Sequence, residues 1–144
     1  MGLLDGAFVF LADLARRLTM AHDLDFVVCS SYGSGTVSSG EVILKRDLTV
    51  DVKGRQVLLV DDLCDTGNTL RSLKELMLKR KAASVRTCCL LNKPSRRVAD
   101  VHVDFVGKDI PDAFVVGYGM DFDKRFRSLP FVGVLKKELY QTSI

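Results

Sequence analysis

No stretch of this chain approaches the ~20 consecutive apolar residues that a membrane-spanning helix needs, and its first residues lack the basic patch and apolar core of a signal sequence. A cytoplasmic setting is the expectation. The four cysteines, Cys29, Cys64, Cys88 and Cys89, show none of the two-residue spacings of a zinc site, and in such a setting they stay reduced. Cys88 and Cys89 lie in an apolar run, where a free thiol behaves as a small hydrophobe; Cys64 reads as a loop filler with nothing near it in sequence to lower its pKa. The two histidines, His22 and His102, stand apart from any acid cluster, so no triad is indicated. A net charge of +3, carried by scattered Lys and Arg, is too small for a nucleic-acid footprint and matches small phosphate ligands equally well.

What is present has the proportions of one soluble domain. The 144 residues are 47% hydrophobic and 27% charged, without internal repeat or long linker. Phe8, Leu11, Leu14, Ala15 and Leu18 recur at three- and four-residue steps and predict a first helix; Leu70, Leu73, Leu76 and Met77 predict a second. Strands are expected at 26–29, 57–60, 85–91, 101–106, 114–118 and 132–135, with 41–47 and 49–52 as the returning arm of a hairpin. Strands alternating with helices mean an α/β fold, a mostly parallel sheet flanked by helices, with ligands bound beyond the carboxyl ends of the strands.

One such end dominates the reading. From Gln56 to Leu70 the chain passes from an apolar strand into Asp61 and Asp62, then Asp65, then the small residues Thr66, Gly67, Asn68 and Thr69, then a helix. Unpaired amides at a helix start favour an anion, and these residues offer amides with almost no bulk, which makes a phosphate cradle. The Gly-Lys-Ser/Thr ending of a nucleoside-triphosphate loop is missing; a sugar phosphate fits better. The alternative is a buried strand followed by a capped helix, with Asp65 or Thr66 as the cap. That leaves the adjacent acids at 61 and 62 unexplained, because desolvating neighbouring like charges is unfavourable unless something positive arrives.

This stretch resembles the phosphoribosyl-diphosphate signature of the type I phosphoribosyltransferases, and its surroundings resemble the hypoxanthine-guanine branch. The resemblance implies that Asp61 and Asp62 take the ribose, that Asp65 sits over the purine as general base, and that Thr66 to Thr69 bind the 5′-phosphate. The family more often has Glu then Asp at the first pair; Asp61 is one methylene shorter and keeps the charge. Three further segments follow in the family's order. Ser31-Tyr32-Gly33 begins a run to Gly40 that resembles a flexible lid hairpin, useful for excluding water from a cationic sugar intermediate. Lys93, in Leu91-Asn92-Lys93-Pro94-Ser95-Arg96-Arg97, would donate to the exocyclic oxygen of a 6-oxopurine and reject adenine, whose amino group is itself a donor. By position alone it is a solvated strand-end lysine. In Ile110 to Phe122, Phe114 would stack on the base, Val115 would read its edge through the backbone, and Asp121 would help hold Mg2+, joined by Asp61 and Asp62. Arg127 would grip the diphosphate with its guanidinium fork. These last segments would form a small C-terminal hood.

The implied activity is purine salvage: a phosphoribosyl group moves from phosphoribosyl diphosphate to hypoxanthine or guanine, giving a purine nucleoside monophosphate and diphosphate. A homo-dimer or homo-tetramer is the implied assembly, with no nucleic-acid or membrane partner. Two departures stand out. Where the family has Leu-Lys-Gly in a diphosphate-binding loop, this chain has Leu4, Asp5 and Gly6, which sets an acid against an anion. The family's N-terminal segment, with the sheet strand leading into that loop, is expected to be absent from residues 1–144. These departures keep open a non-catalytic nucleotide-binding or regulatory relative; the unresolved choice of base keeps open a xanthine enzyme.

Overall fold

Gln56–Cys64 (β4) lies in the middle of a six-stranded sheet, and the rest of the fold is arranged around it. The structure is a computed structural model that describes residues 1–31 and 42–140. Its other elements are β1 (Gly2–Leu4), α1 (Phe8–Ala15), β2 (Phe26–Ser31), β3 (Val42–Arg46), α2 (Asn68–Lys79), β5 (Ser84–Asn92), β6 (Phe105–Asp109), β7 (Val115–Val116) and β8 (Gly133–Val134). The sheet runs β3-β2-β1-β4-β5-β6; β3 is antiparallel to β2 and every other pairing is parallel.

Both faces of the central strands are covered, which is why they read as unbroken apolar runs. Successive side chains point to opposite faces. Leu59 and Cys89 join Leu70, Leu73 and Met77 of α2 in one core, while Val60 and Cys88 meet Leu11 of α1 in another. α2 is amphipathic, as its spacing predicts, and ends with Lys79 in its last turn, favourable for the helix dipole. α1 stops at Ala15, one turn short of Leu18, and Leu18 is exposed.

Four expectations are corrected. The strand before the Leu4-Asp5-Gly6 loop is present: Gly2, Leu3 and Leu4 pair in parallel with Phe26, Val27 and Val28, and Gly2 pairs with Val60 on the other side. The Val60 amide donates to the Met1 carbonyl at 2.9 Å, so the backbone groups between β2 and β4 find partners. The strand expected at 57–60 continues through the acids to Cys64, because its ladder to β5 persists as far as Cys64 opposite Asn92. Residues 49–52 are not a strand; the Thr49 and Val50 amides are drawn to the Asp25 carboxylate instead. The strand expected at 101–106 pairs only at 105–109. Val101 and Val103 pack their side chains on the core, but the Asp104 carboxylate accepts the Thr87 amide at 2.8 Å, and the ladder with β5 begins after that pin.

The C-terminal segment forms the hood over the carboxyl ends of β4 and β5. The strands expected at 114–118 and 132–135 shrink to the two-residue pair β7 and β8, outside the main sheet. Val115 and Met120 seal the hood against Leu91 in a third small core. Among the described residues no helix is long and apolar enough to cross a membrane.

Candidate active site

A cavity of about 490 Å³ opens at the carboxyl end of the sheet, between the strand termini and the hood. Three turns supply its floor. The turn after β1 contributes Leu4, Asp5 and Gly6, β4 and the turn beyond it contribute Asp61, Asp62 and Asp65, and the residue after β5 is Lys93; Thr69 adds the first turn of α2. The hood contributes Phe114, Val115, Asp121 and Arg127. Asp61, Asp62 and Asp65 therefore share one cavity, which is the geometric condition the sequence reading depends on. Ser31 closes β2, but its side chain and the whole of Tyr32 lie outside the described residues, as does the lid run to Gly40.

Close backbone approach builds the wall between floor and hood. A methyl carbon on Gly6 would fall 2.2 Å from an Asp62 carboxylate oxygen, and one on Gly119 would fall 2.2 Å from the Gly6 carbonyl oxygen. Asp62, Gly6 and Gly119 thus stack closely, and at Gly119, where the obstacle is backbone, only glycine fits. Gly119 also has φ +101, a left-handed conformation costly for other residues. The Leu4–Asp5 peptide beside this stack is cis.

Asp61 and Asp62 are half-buried and poor in donors. Burial first, then the neighbouring Asp62 carboxylate, pushes the Asp61 carboxyl well above its usual range. Among the described residues the pair's one donor is the Asp62 amide, 3.0 Å from Asp61 Oδ1. Asp65 is differently placed. Its Oδ1 accepts from Arg96 Nε at 3.3 Å, Arg96 Nη1 lies 3.8 Å from Asp112, and Asp112 lies 3.6 Å from Lys93 Nζ. Charges alternate along Asp65, Arg96, Asp112 and Lys93. Lys93 is only 6% exposed, so the solvated strand-end alternative does not hold; its amide is tied to the Cys64 carbonyl at 2.9 Å and the residue lines the cavity.

The turn from Thr66 to Thr69 has the properties of a cradle. The α2 start has no side-chain cap: Gly67 occupies the cap position at φ +83, and the Thr66 hydroxyl approaches the Asn68 amide only at 3.5 Å. The amides of Thr66, Gly67 and Thr69 donate to no acceptor among the described residues. The capped-helix alternative therefore fails at the cap itself. The Thr66 carbonyl accepts the amides of Val98 and Ala99, both at 3.0 Å, which holds the turn from behind. Thr66, Gly67 and Asn68 form this turn without lining the cavity, whereas Thr69 does both.

Beneath the turn, the reading of Cys64 is overturned. It is the buried last residue of β4; donation from the Cys89 thiol and from Arg97 Nη1 brings its pKa down to about 6. Arg97 also holds Asn92 Oδ1. The signal was the Arg96-Arg97 pair, whose partners are distant in sequence.

In the hood, Arg127 Nη1 donates to the Gly119 carbonyl at 2.7 Å and Nη2 meets Asp121 at 2.9 Å, with Asp5 at 3.8 Å. Phe114 lines the cavity and packs edge-on to Phe122, with ring centroids 5.6 Å apart, and against Tyr140 at 5.1 Å. Tyr118, from the same strand region, leaves the site and donates to Asp13 of α1, tying hood to sheet. Sequence reasoning missed the roles of Gly119, Arg96 and Asp112, because each depends on a partner that arrives only on folding.

A mostly parallel sheet that brings an acid pair and an open-amide turn together beneath a hood defines the class: an α/β protein with a ligand site beyond its strand ends. The phosphoribosyl transferase domain family matches residues 1–123, and the chain belongs to that family. It is 49% identical over 142 residues to the hypoxanthine-guanine phosphoribosyltransferase of Bacillus subtilis, covering 99% of this chain and 79% of the relative. It is 50% identical over 133 residues to the hypoxanthine phosphoribosyltransferase of Salmonella typhimurium, covering 92% and 75%. A crystal structure of the Staphylococcus aureus hypoxanthine phosphoribosyltransferase superposes with a TM-score of 0.94 at 44% identity, covering 98% of this chain and 77% of that one.

Proposed function

We propose that the protein is a purine-salvage glycosyltransferase that moves a phosphoribosyl group from phosphoribosyl diphosphate to hypoxanthine or guanine. The observation that carries this is the convergence of Asp61, Asp62 and Asp65 on one cavity with Lys93 and Phe114, beside a turn of unpaired amides. The cavity volume falls within the roughly 300–1,000 Å³ usual for small-molecule sites.

Each group has a task in that reaction. The amides of Thr66 to Thr69 bind the 5′-phosphate, and Asp61 and Asp62 face the ribose hydroxyls, where their negative charge stabilises the positive charge that builds on the ring as diphosphate departs. Phe114 stacks on the purine, with Val115 at its edge. Lys93 donates to the 6-oxo group; its burial makes a base without that acceptor costly to bind. Asp65 takes the proton from the purine as its nitrogen attacks the sugar, and Arg96 keeps the carboxylate oriented. Arg127 holds the leaving diphosphate, released from Asp121 as the anion arrives.

The carboxylates of Asp61, Asp62 and Asp121 are hard oxygen donors suited to Mg2+. Among the described residues no three acidic, histidine or cysteine side chains converge tightly enough to cage an ion alone. That suits an ion held by one or two carboxylates together with substrate phosphates. When bound, Mg2+ neutralises charge on the departing diphosphate. A homo-dimer or homo-tetramer in the cytoplasm belongs to the same reading.

Turnover with hypoxanthine, guanine and xanthine, followed by diphosphate release, tests it. Release with hypoxanthine or guanine is the expected outcome. Nucleotide binding without release would make the protein a binding relative, and preference for xanthine would reassign the base.

A further inference from the structure

We infer that Arg97 is a positioning residue for the turn at 66–69: its guanidinium, clamped across the ends of β4 and β5, stands against Gly67 and adds from behind the full positive charge that backbone amides cannot supply. This rests on the transfer reading above, in which that turn binds the 5′-phosphate.

The charge near the turn calls for such a group. A phosphate monoester carries about two negative charges at neutral pH, and at this turn it has Asp61, Asp62 and Asp65 for neighbours, whereas helix-start amides offer only partial positive charge. The other cations around the site are committed elsewhere. Lys93 faces Asp112, Arg96 faces Asp65 and Asp112, and Arg127 faces Asp121. Of these four side chains, Arg97 alone has no carboxylate partner among the described residues; its guanidinium donates to Cys64 Sγ through Nη1 and to Asn92 Oδ1 through Nη2. Nη1 is also the atom nearest the open side of Gly67, so the cation stands closer to the turn than the sulfur that shares it.

Strand register explains why the guanidinium fits there. Cys64 and Asn92 are partners across β4 and β5, so Nη1 and Nη2 span two neighbouring strand ends, a task suited to a planar fork. Asn92 is itself fixed, its Nδ2 donating to Asp109 Oδ1 at 2.7 Å. Directly after Arg97, the amides of Val98 and Ala99 donate to the Thr66 carbonyl, so one segment clasps the turn with both main chain and side chain. A methyl carbon on Gly67 would fall 2.7 Å from Arg97 Nη1 and 2.7 Å from Val101 Cγ1. Half-buried Arg97 therefore abuts the turn without lining the cavity, and acts on a bound phosphate through the turn it braces.

Calorimetric titration of guanosine 5′-monophosphate and of guanosine, which lacks the phosphate, tests this. Arg97→Gln should weaken the monophosphate roughly tenfold and leave guanosine within about twofold of the parent, as expected for losing one cation a few ångströms from a phosphate in a partly solvated site. Arg97→Lys, which keeps the charge on a differently shaped side chain, should lose no more than about threefold. The Lys variant decides the matter if the Gln variant does not fold, because a loss of roughly tenfold in it would show that shape and not charge is what the turn needs. If Arg97→Gln weakens both ligands equally, or neither, the role of Arg97 is overturned and the transfer reading stands. If the parent binds neither ligand, both fall.

Discussion

Asp25 and Asp61 are both drawn out of solvent at the sheet, at opposite ends of its parallel strands, and the protein treats them in opposite ways. Asp25, at the start of β2, is surrounded by donors: the amides of Phe26, Thr49 and Val50 and the Thr49 hydroxyl all reach its carboxylate. Burial works to raise its pKa, but those hydrogen bonds outweigh it and hold the carboxyl below its usual range. Asp61, in the carboxyl-terminal half of β4, has a second acid beside it and one neighbouring amide, and its pKa moves up. A satisfied acid organises the chain around itself; an unsatisfied one is a standing cost that a ligand can relieve. The contrast separates an acid satisfied by the fold from one left open to a ligand.

The largest effect that would sharpen the contrast is expected at Asp65. Asp65→Asn should lower turnover by at least ~100-fold, the lower end for a lost acid-base group, with little change in phosphoribosyl diphosphate affinity or melting temperature. A variant of unimpaired turnover removes Asp65 from the base role. Next comes Asp25→Ala, which leaves several amides without their acceptor and should cost about 2–4 kcal/mol in a chemical denaturation experiment. Loss of much less would mean that the turn at 47–50 does not depend on this carboxylate.

A smaller effect of opposite sign is expected at Asp61. Asp61→Asn should raise stability by about 1 kcal/mol at neutral pH while impairing turnover, because it removes like-charge repulsion from the ligand-free protein. A melting temperature below the parent's would break the comparison. The pH dependence follows the pKa directions. Asp25, held below the usual carboxylate range, contributes stability that is full above that range and is lost as pH falls through its lower folded pKa. Asp61, held above the usual carboxylate range, costs stability progressively as pH rises from that range toward its higher folded pKa. Melting curves across the acidic range should therefore show the Asp25 variant approaching the parent at the acid end, and the Asp61 variant separating from it as pH increases.

Much of the site was legible without coordinates, because the amino-acid order at Gln56 to Leu70 carries its own local logic: an apolar strand, acids, small residues with available amides, a helix. Periodicity placed Leu70, Leu73 and Met77 on the buried face of α2, and all three are buried. Ladder registers were less accessible. Val101 and Val103 have the alternation of a strand and the burial of one, yet the Asp104–Thr87 contact delays pairing to Phe105. β1 needed only three residues to fill the position between β2 and β4, because neighbours on both sides supply its partners.

Residue order alone established the α/β class, the main helices and central strands, and which acids stand beside the open-amide turn at 66–69, since these follow from side-chain spacing and local backbone chemistry. Folding decided what each charge faces. Thr49 reaches Asp25, Asp112 faces Lys93, Arg96 pairs with Asp65, and Asp5 lies near Arg127 of the hood. These partners are far apart along the chain, and a charged group acquires its pKa, its burial and its task from whatever the packed structure brings within a few ångströms of it.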